Sequence, residues 1–171
     1  ASDLNITGDI TVSAWVKTST SWPTTYSDPM IYARYSNAGY DGVNLWLDNP
    51  HLSSRSFGFI IKSGSNLWGS EFAVGTSALQ LDTWYFVVGV REGNSLKIYI
   101  NGVLEGTDNC STAPINYGSN AVATIGEKAA AAAVWYDGVI DDVRIYNRGL
   151  NPNEVQTLFS STVSVENNGS I

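Results

Sequence analysis

The chain has 171 residues, a formal net charge of −7 and a hydrophobic content of 43%. This length suits a single domain over residues 1–171, and the acidic balance argues against nucleic acid, which is bound through a basic surface. No apolar run is long enough to cross a bilayer, so membrane insertion is not expected.

The first half of the chain has the pattern of short strands separated by polar turns. Residues 10–17 alternate between an apolar face and a face that carries Trp15 and polar residues. The same alternation over residues 43–48 puts Asn44, Trp46 and Asp48 on one face and three apolar residues on the other. Further strands are predicted over residues 30–35, 56–62 and 71–74.

The second half predicts more strands and then one helix. The strands are a hairpin of residues 84–90 and 96–100, followed by residues 103–106, 121–125 and 139–146. Asn151 can cap the helix, Pro152 suits its first position and Glu154 completes a capping box. Its predicted apolar face consists of Val155, Leu158 and Phe159. Residues 160–171 are predicted to form a polar tail or, through residues 162–165, an edge strand.

Asp141 is the unusual residue of the last strand. Strict alternation places it on the same face as Val139, Val143 and Ile145. A carboxylate on an apolar face costs several kcal/mol unless something pairs with it. Three arrangements would satisfy it: a place at the rim of the sheet, hydrogen bonds from backbone N–H groups, or a bound metal ion.

Many short strands, with turn signals about every ten residues, predict an all-β sandwich of the jelly-roll type. Three parts of the chain also resemble laminin-G-like, concanavalin A-like jelly-roll domains. Residues 10–17 resemble their early strand, residues 82–90 with 96–102 their central hairpin, and residues 138–155 their closing strand and short C-terminal helix. The resemblance implies two facing antiparallel sheets, with packed residues that include Val12, Trp84, Val87, Ile98, Val143 and Ile145.

The resemblance also implies a metal ion. Similar glucanases and laminin-G-like domains often hold a structural calcium ion through an Asp at the start of the last strand, and the matching position here is Asp141. Further ligands, mainly backbone carbonyls, are expected near Asp3 and Gly42. Calcium takes about six to eight oxygen ligands, which such a set could supply in part. The alternative is that backbone N–H groups alone satisfy Asp141.

No catalytic residues are predicted. Glucanases of the resembled fold carry a Glu-x-Asp-x-x-Glu pattern on one strand, and this sequence does not contain it. The adjacent acids Asp141 and Asp142 should point to opposite faces of their strand, so they cannot form the carboxylate pair of a glycosidase.

Aromatic residues are abundant, with 6 Trp and 9 Tyr. The resemblance assigns Trp15 and Trp84 to packing, which leaves the other aromatics available to a ligand. A half-exposed Trp or Tyr presents a flat apolar face with a polar tip, and this suits stacking against a sugar ring. The candidate ligand-binding residues are Trp46 with Asn44 and Asp48 on its face, and the loop aromatics Trp22, Tyr40, Trp68 and Trp135.

The sequence therefore predicts a non-catalytic carbohydrate-binding or adhesion module of a larger secreted or cell-surface protein. Its expected partners are a polysaccharide or glycoprotein glycan and the other domains of a parent chain. A protein-interaction or spacer domain is the alternative, and a glycoside hydrolase is the less favoured one. Exposed aromatics gathered on one surface would favour sugar binding, whereas scattered ones would favour a spacer.

Overall fold

The computed structural model describes residues 4–19, 29–35, 42–47, 56–63, 71–127 and 135–166. Within these ranges, ten strands form two antiparallel five-stranded sheets. The first sheet contains, in spatial order, β10 (Gly138–Tyr146), β1 (Ile10–Thr18), β6 (Trp84–Glu92), β7 (Ser95–Ile100) and β8 (Val103–Asn109). The second sheet contains β5 (Phe72–Val74), β4 (Phe57–Ile61), β3 (Val43–Leu47), β2 (Met30–Tyr35) and β9 (Val122–Ile125). The helix α1 (Pro152–Glu166) follows β10.

The predicted all-β sandwich is confirmed, and the alternation of residues determines which faces meet. The apolar face of β1 is at most 1% exposed and consists of Ile10, Val12, Ala14 and Val16. It packs in one core with the apolar face of β3, which consists of Val43, Leu45 and Leu47. Asn44 and Trp46 consequently lie on the outer face of the second sheet.

Five of the six predicted packed residues belong to this core. Val12, Val87 and Ile98 are fully buried, and Val143 and Ile145 are partly buried against them. The prediction for Trp84 was wrong, because it opens β6 on the outer face of the first sheet and is 38% exposed.

The helix begins as the sequence predicts. Asn151 Oδ1 accepts a hydrogen bond from the Glu154 N–H at 3.0 Å, and Glu154 Oε2 accepts one from the Asn151 N–H at 2.9 Å. The Arg148 guanidinium binds the same carboxylate, and these contacts lower the pKa of Glu154 to about 2. Val155, Leu158 and Phe159 then pack on the outer face of the first sheet. The capping box therefore fixes the residue at which α1 begins. The apolar residues that follow determine which side of the helix packs on the sheet.

The helix is longer than predicted. It continues to Glu166, so the prediction of an edge strand over residues 162–165 was wrong. The physical reason is local, since no Gly or Pro stands between Pro152 and Gly169 to end the helix. In the described part of the chain, no helix has the length and apolar character needed to cross a membrane.

A β-bulge in β10 changes the face on which Asp141 lies. Trp15 of β1 pairs with Asp141 while Ser13 pairs with Arg144, so β10 carries one extra residue there. Asp142 occupies it with a φ of 49°, and the alternation shifts by one. Ile140 joins Val143 and Ile145 in packing against the core, and Asp141 is exposed. The prediction that Asp141 faces the core was wrong for this reason.

Candidate functional site

The outer face of the first sheet is largely closed by α1. Phe86, Val88, Val90 and Tyr99 are at most 2% exposed, and they pack with Leu150, which precedes the helix, and with the helix residue Val155. Phe159 stacks on Trp15, with ring centroids 5.8 Å apart. The places left for a ligand are the second sheet, the edges of the sandwich and those parts of the first sheet that the helix does not cover.

Trp46 lies on the outer face of the second sheet but is not available for stacking. It is 9% exposed and packs in a cluster with Met30, Ala33, Ile60, Phe72 and Val74. Its ring covers Gly58, where an added Cβ would collide with the indole. The prediction that Trp46 is half-exposed was wrong, because the glycine on the next strand makes room for the ring to lie flat.

Asn44 shares this face and has an unusual environment. It is 0% exposed, its neighbours in register are Ala33 and Ile60, and both polar atoms of its amide are without a hydrogen-bond partner among the residues that the structure describes. Buried amides are nearly always hydrogen-bonded, so this amide can accept and donate bonds that the described protein does not supply. Its predicted neighbour Asp48 lies outside the described residues.

Trp135 is the predicted ligand residue that the structure exposes. It is 62% exposed and pairs through its backbone with Glu127 in an isolated bridge. The next residue is tightly held, since the Tyr136 N–H donates to the Gly126 carbonyl at 2.8 Å and the Tyr136 hydroxyl bonds with Thr18 Oγ1 at 2.9 Å. Burial raises the pKa of Tyr136 to about 12, so this hydroxyl keeps its proton. The indole is thus held out into solvent on a fixed backbone.

The other aromatic candidates cannot be placed. Trp22, Tyr40 and Trp68 lie outside the described residues, and so does the predicted metal ligand Asp3.

The residues that the structure describes do not fit the predicted calcium site. Asp141 is exposed, and its Oδ1 accepts a hydrogen bond from the Asp142 N–H at 2.7 Å. Gly42 precedes β3 in the other sheet, and its carbonyl accepts a hydrogen bond from the Lys62 N–H at 2.8 Å. Across the described ranges, no three His, Cys, Asp or Glu side chains are grouped so that they could hold a metal ion. Calcium was predicted from the resemblance alone, and the described residues supply no set of side-chain ligands for it.

Two arginines, which the sequence did not single out, hold the segment before β1. Arg91 of β6 is 2% exposed and donates to the carbonyls of Thr7 and Gly8, and also to those of Ser111 and Ala113. Arg34 of β2 donates to the carbonyl of Leu4 and lies over the Tyr117 ring, 4.1 Å from its centroid. The only sequence signal for Arg91 is the alternation along β6, which places it on the same inward face as Val87.

We expect EDTA to leave the melting temperature unchanged. Asp141 needs no metal ion to balance its charge because it faces solvent, and the arginines already hold the segment before β1. Asp141→Asn should also be neutral, whereas Asp142→Asn should destabilise, since Asp142 forms two bonds of 2.8 Å with Arg144. Thermal unfolding with EDTA and with millimolar calcium tests this. A melting temperature that calcium raises in the wild type, but not in Asp141→Asn, would establish a metal at that residue.

Comparison with known proteins supports the resemblance found in the sequence. A laminin-G-type family model, described as the concanavalin A-like lectin/glucanases superfamily, matches residues 1–156. No curated protein matches the chain. A heptameric SAP-like pentraxin from Limulus polyphemus is 16% identical, with a TM-score of 0.62 over 90% of this chain and 70% of that one.

Two further solved structures share the fold. A proposed carbohydrate binding protein from Bacteroides ovatus is 13% identical, with a TM-score of 0.67 over 87% of this chain and 40% of that one. Domain 4 of AbnA, an extracellular arabinanase from Geobacillus stearothermophilus solved with arabinotriose, is 20% identical, with a TM-score of 0.63 over 91% of this chain and 68% of that one. These identities establish a shared jelly-roll fold and nothing finer. With the family model matching most of its length, the chain belongs to the concanavalin A-like lectin/glucanases superfamily.

Proposed function

We propose that this domain is a non-catalytic carbohydrate-binding or adhesion module that stacks a sugar ring on Trp135. The observation that carries the proposal is the exposure of this indole, 62%, on a backbone fixed by its bridge to Glu127 and by Tyr136. Trp is highly buried on average in folded proteins, so an indole that is exposed on a hydrogen-bonded backbone is a candidate contact residue.

The surroundings of Trp135 suit a sugar. The exposed residues Glu127 and Asp137 belong to the same two segments and carry carboxylate acceptors for hydroxyl groups. Ile125, 57% exposed at the end of β9, adds apolar surface. Ligand sites typically combine apolar contact area with a few polar groups, and a fixed backbone reduces the entropy lost on binding. Asn44 remains a separate candidate on the outer face of the second sheet.

The relatives support a place in a larger extracellular protein. The arabinanase is described as extracellular, and the matching part is one domain of it, solved with arabinotriose. We therefore include in the proposal that the domain works beside other domains of a secreted or cell-surface chain.

A glycan array with neutral and acidic plant, bacterial and animal glycans tests the proposal. We expect wild-type protein to bind at least one neutral glycan series, and to bind it equally with EDTA or calcium. Release of reducing ends from the bound polysaccharide is not expected, because the proposed role is non-catalytic. Absence of binding to every glycan would favour a spacer or protein-interaction domain, and release of reducing ends would favour a hydrolase.

A further inference from the structure

Trp84 is much more exposed than the other residues on the same face of β6. Trp84, Phe86, Val88 and Val90 alternate along β6 and so share the outer face of the first sheet. Helix α1 buries the last three to at most 2% exposure, whereas Trp84 remains 38% exposed. The helix reaches this face through Phe159, whose ring centroid lies 6.2 Å from that of Phe86. Trp84 is thus the next outward residue beyond the end of the covered area.

Trp84 belongs to a solvent-accessible row across three strands, in which the Lys17 side chain is 31% exposed. Lys17 of β1 pairs in register with Trp84 on one side and with Val139 of β10 on the other. Neighbouring strands lie about 4.8 Å apart, so the row is roughly 10 Å wide. Val139 is 47% exposed. Lys17 Nζ lies 3.0 Å from Asp82 Oδ1 and 6.0 Å from the centre of the Trp84 ring.

We call Trp84, Lys17 and Val139 the Trp84 row. The chemistry of these residues indicates which kind of ligand the row would bind. An apolar protein patch would have to bury the Lys17–Asp82 ion pair, and desolvation of two charges is costly. Sugar hydroxyls can instead bond with the ammonium and the carboxylate while a ring face lies on the indole. The charge of Lys17 is balanced by Asp82 and the chain carries −7, which disfavours an acidic sugar.

We propose that the Trp84 row is a second binding site for a neutral sugar residue. This inference rests on the proposed function and deepens it, because β10 begins three residues after Trp135 and carries Val139 into the row. Four residues of extended chain separate Trp135 from Val139, at most about 13 Å. A glycan of several residues can then contact both indoles, and its affinity rises with length through the second contact.

The test uses the full chain on arrays of neutral arabinan, xylan, glucan, galactan and mannan oligosaccharides, each printed from disaccharides upward. We expect wild-type binding to strengthen with length in the series that it binds. Trp84→Ala should weaken the longest members about tenfold, which is about 1.4 kcal/mol, and leave the shortest unchanged. The control is Val103→Ala, which removes an apolar side chain on β8 that is 62% exposed, more than Trp84 at 38%.

The outcomes separate the two proposals. One outcome is that Trp135→Ala weakens binding to oligosaccharides of every length while Trp84→Ala changes binding to none. That outcome overturns the second site and leaves the proposed function standing. No binding by wild-type protein to any series overturns both. The melting temperature of Trp84→Ala is measured alongside, and Trp84→Phe, which keeps an aromatic face, should restore part of the length dependence. Failure of Trp84→Phe to restore it would count against stacking.

Discussion

Arg91→Met is expected to lower the free energy of unfolding by about 3 to 5 kcal/mol. The guanidinium is 2% exposed and donates four hydrogen bonds, of 2.7 to 3.3 Å, to backbone carbonyls. Methionine keeps the volume of the stem but leaves these carbonyls without their charged donor. Urea unfolding followed by Trp fluorescence measures the loss.

The matched control is Arg148→Met, which removes an exposed arginine that binds Glu154 at 2.7 Å. Solvent weakens such pairs, so its effect should be much smaller. Hydrogen exchange should also rise selectively at residues 4–9 in Arg91→Met, because two of the lost bonds hold Thr7 and Gly8. Equal stability of the two variants would show that Arg91 does not anchor this segment.

Trp46→Ala is expected to cost about 3 to 5 kcal/mol of stability, as is typical for the loss of a large buried side chain. The ring is 9% exposed and packs among Met30, Ala33 and Ile60 over Gly58. Trp135→Ala, at 62% exposure, is the matched control and should leave stability nearly unchanged. Chemical unfolding of both variants measures the difference.

The same pair of variants separates packing from binding. Folded Trp46→Ala protein, prepared at low temperature, should bind glycan as the wild type does. If the Trp46→Ala variant were as stable as the wild type but bound glycan more weakly, the result would contradict the burial of the Trp46 ring. It would favour the stacking site at Trp46 that the sequence predicted.

Features governed by neighbours in the sequence could be predicted. The alternation of apolar and polar residues predicted the strands and the inward face of β1. The capping box at Asn151 predicted the start of the helix. These patterns depend on side-chain periodicity and on backbone N–H groups within one turn, so a single sequence contains them.

Features governed by packing between elements could not be predicted. The side on which Asp141 lies depends on one extra residue in β10 relative to β1, and nothing in either strand alone requires it. The burial of Trp46 depends on a glycine of the adjacent strand, and the exposure of Trp84 depends on which residues of β6 pack with α1. Trp135 was predicted as a ligand residue because it lies in or beside a polar loop, and its role in binding remains a prediction.

The most direct test of the central claim is isothermal titration of wild-type, Trp135→Ala and Val122→Ala proteins with the oligosaccharide bound on the array. Val122 is 57% exposed on β9, so its replacement removes a smaller apolar side chain of similar exposed fraction from the strand that precedes Glu127. We predict that Trp135→Ala weakens binding about tenfold or more, which is at least about 1.4 kcal/mol, while Val122→Ala and the melting temperatures stay close to wild type. Wild-type affinity in Trp135→Ala would contradict the proposal that this domain binds glycans through the exposed indole.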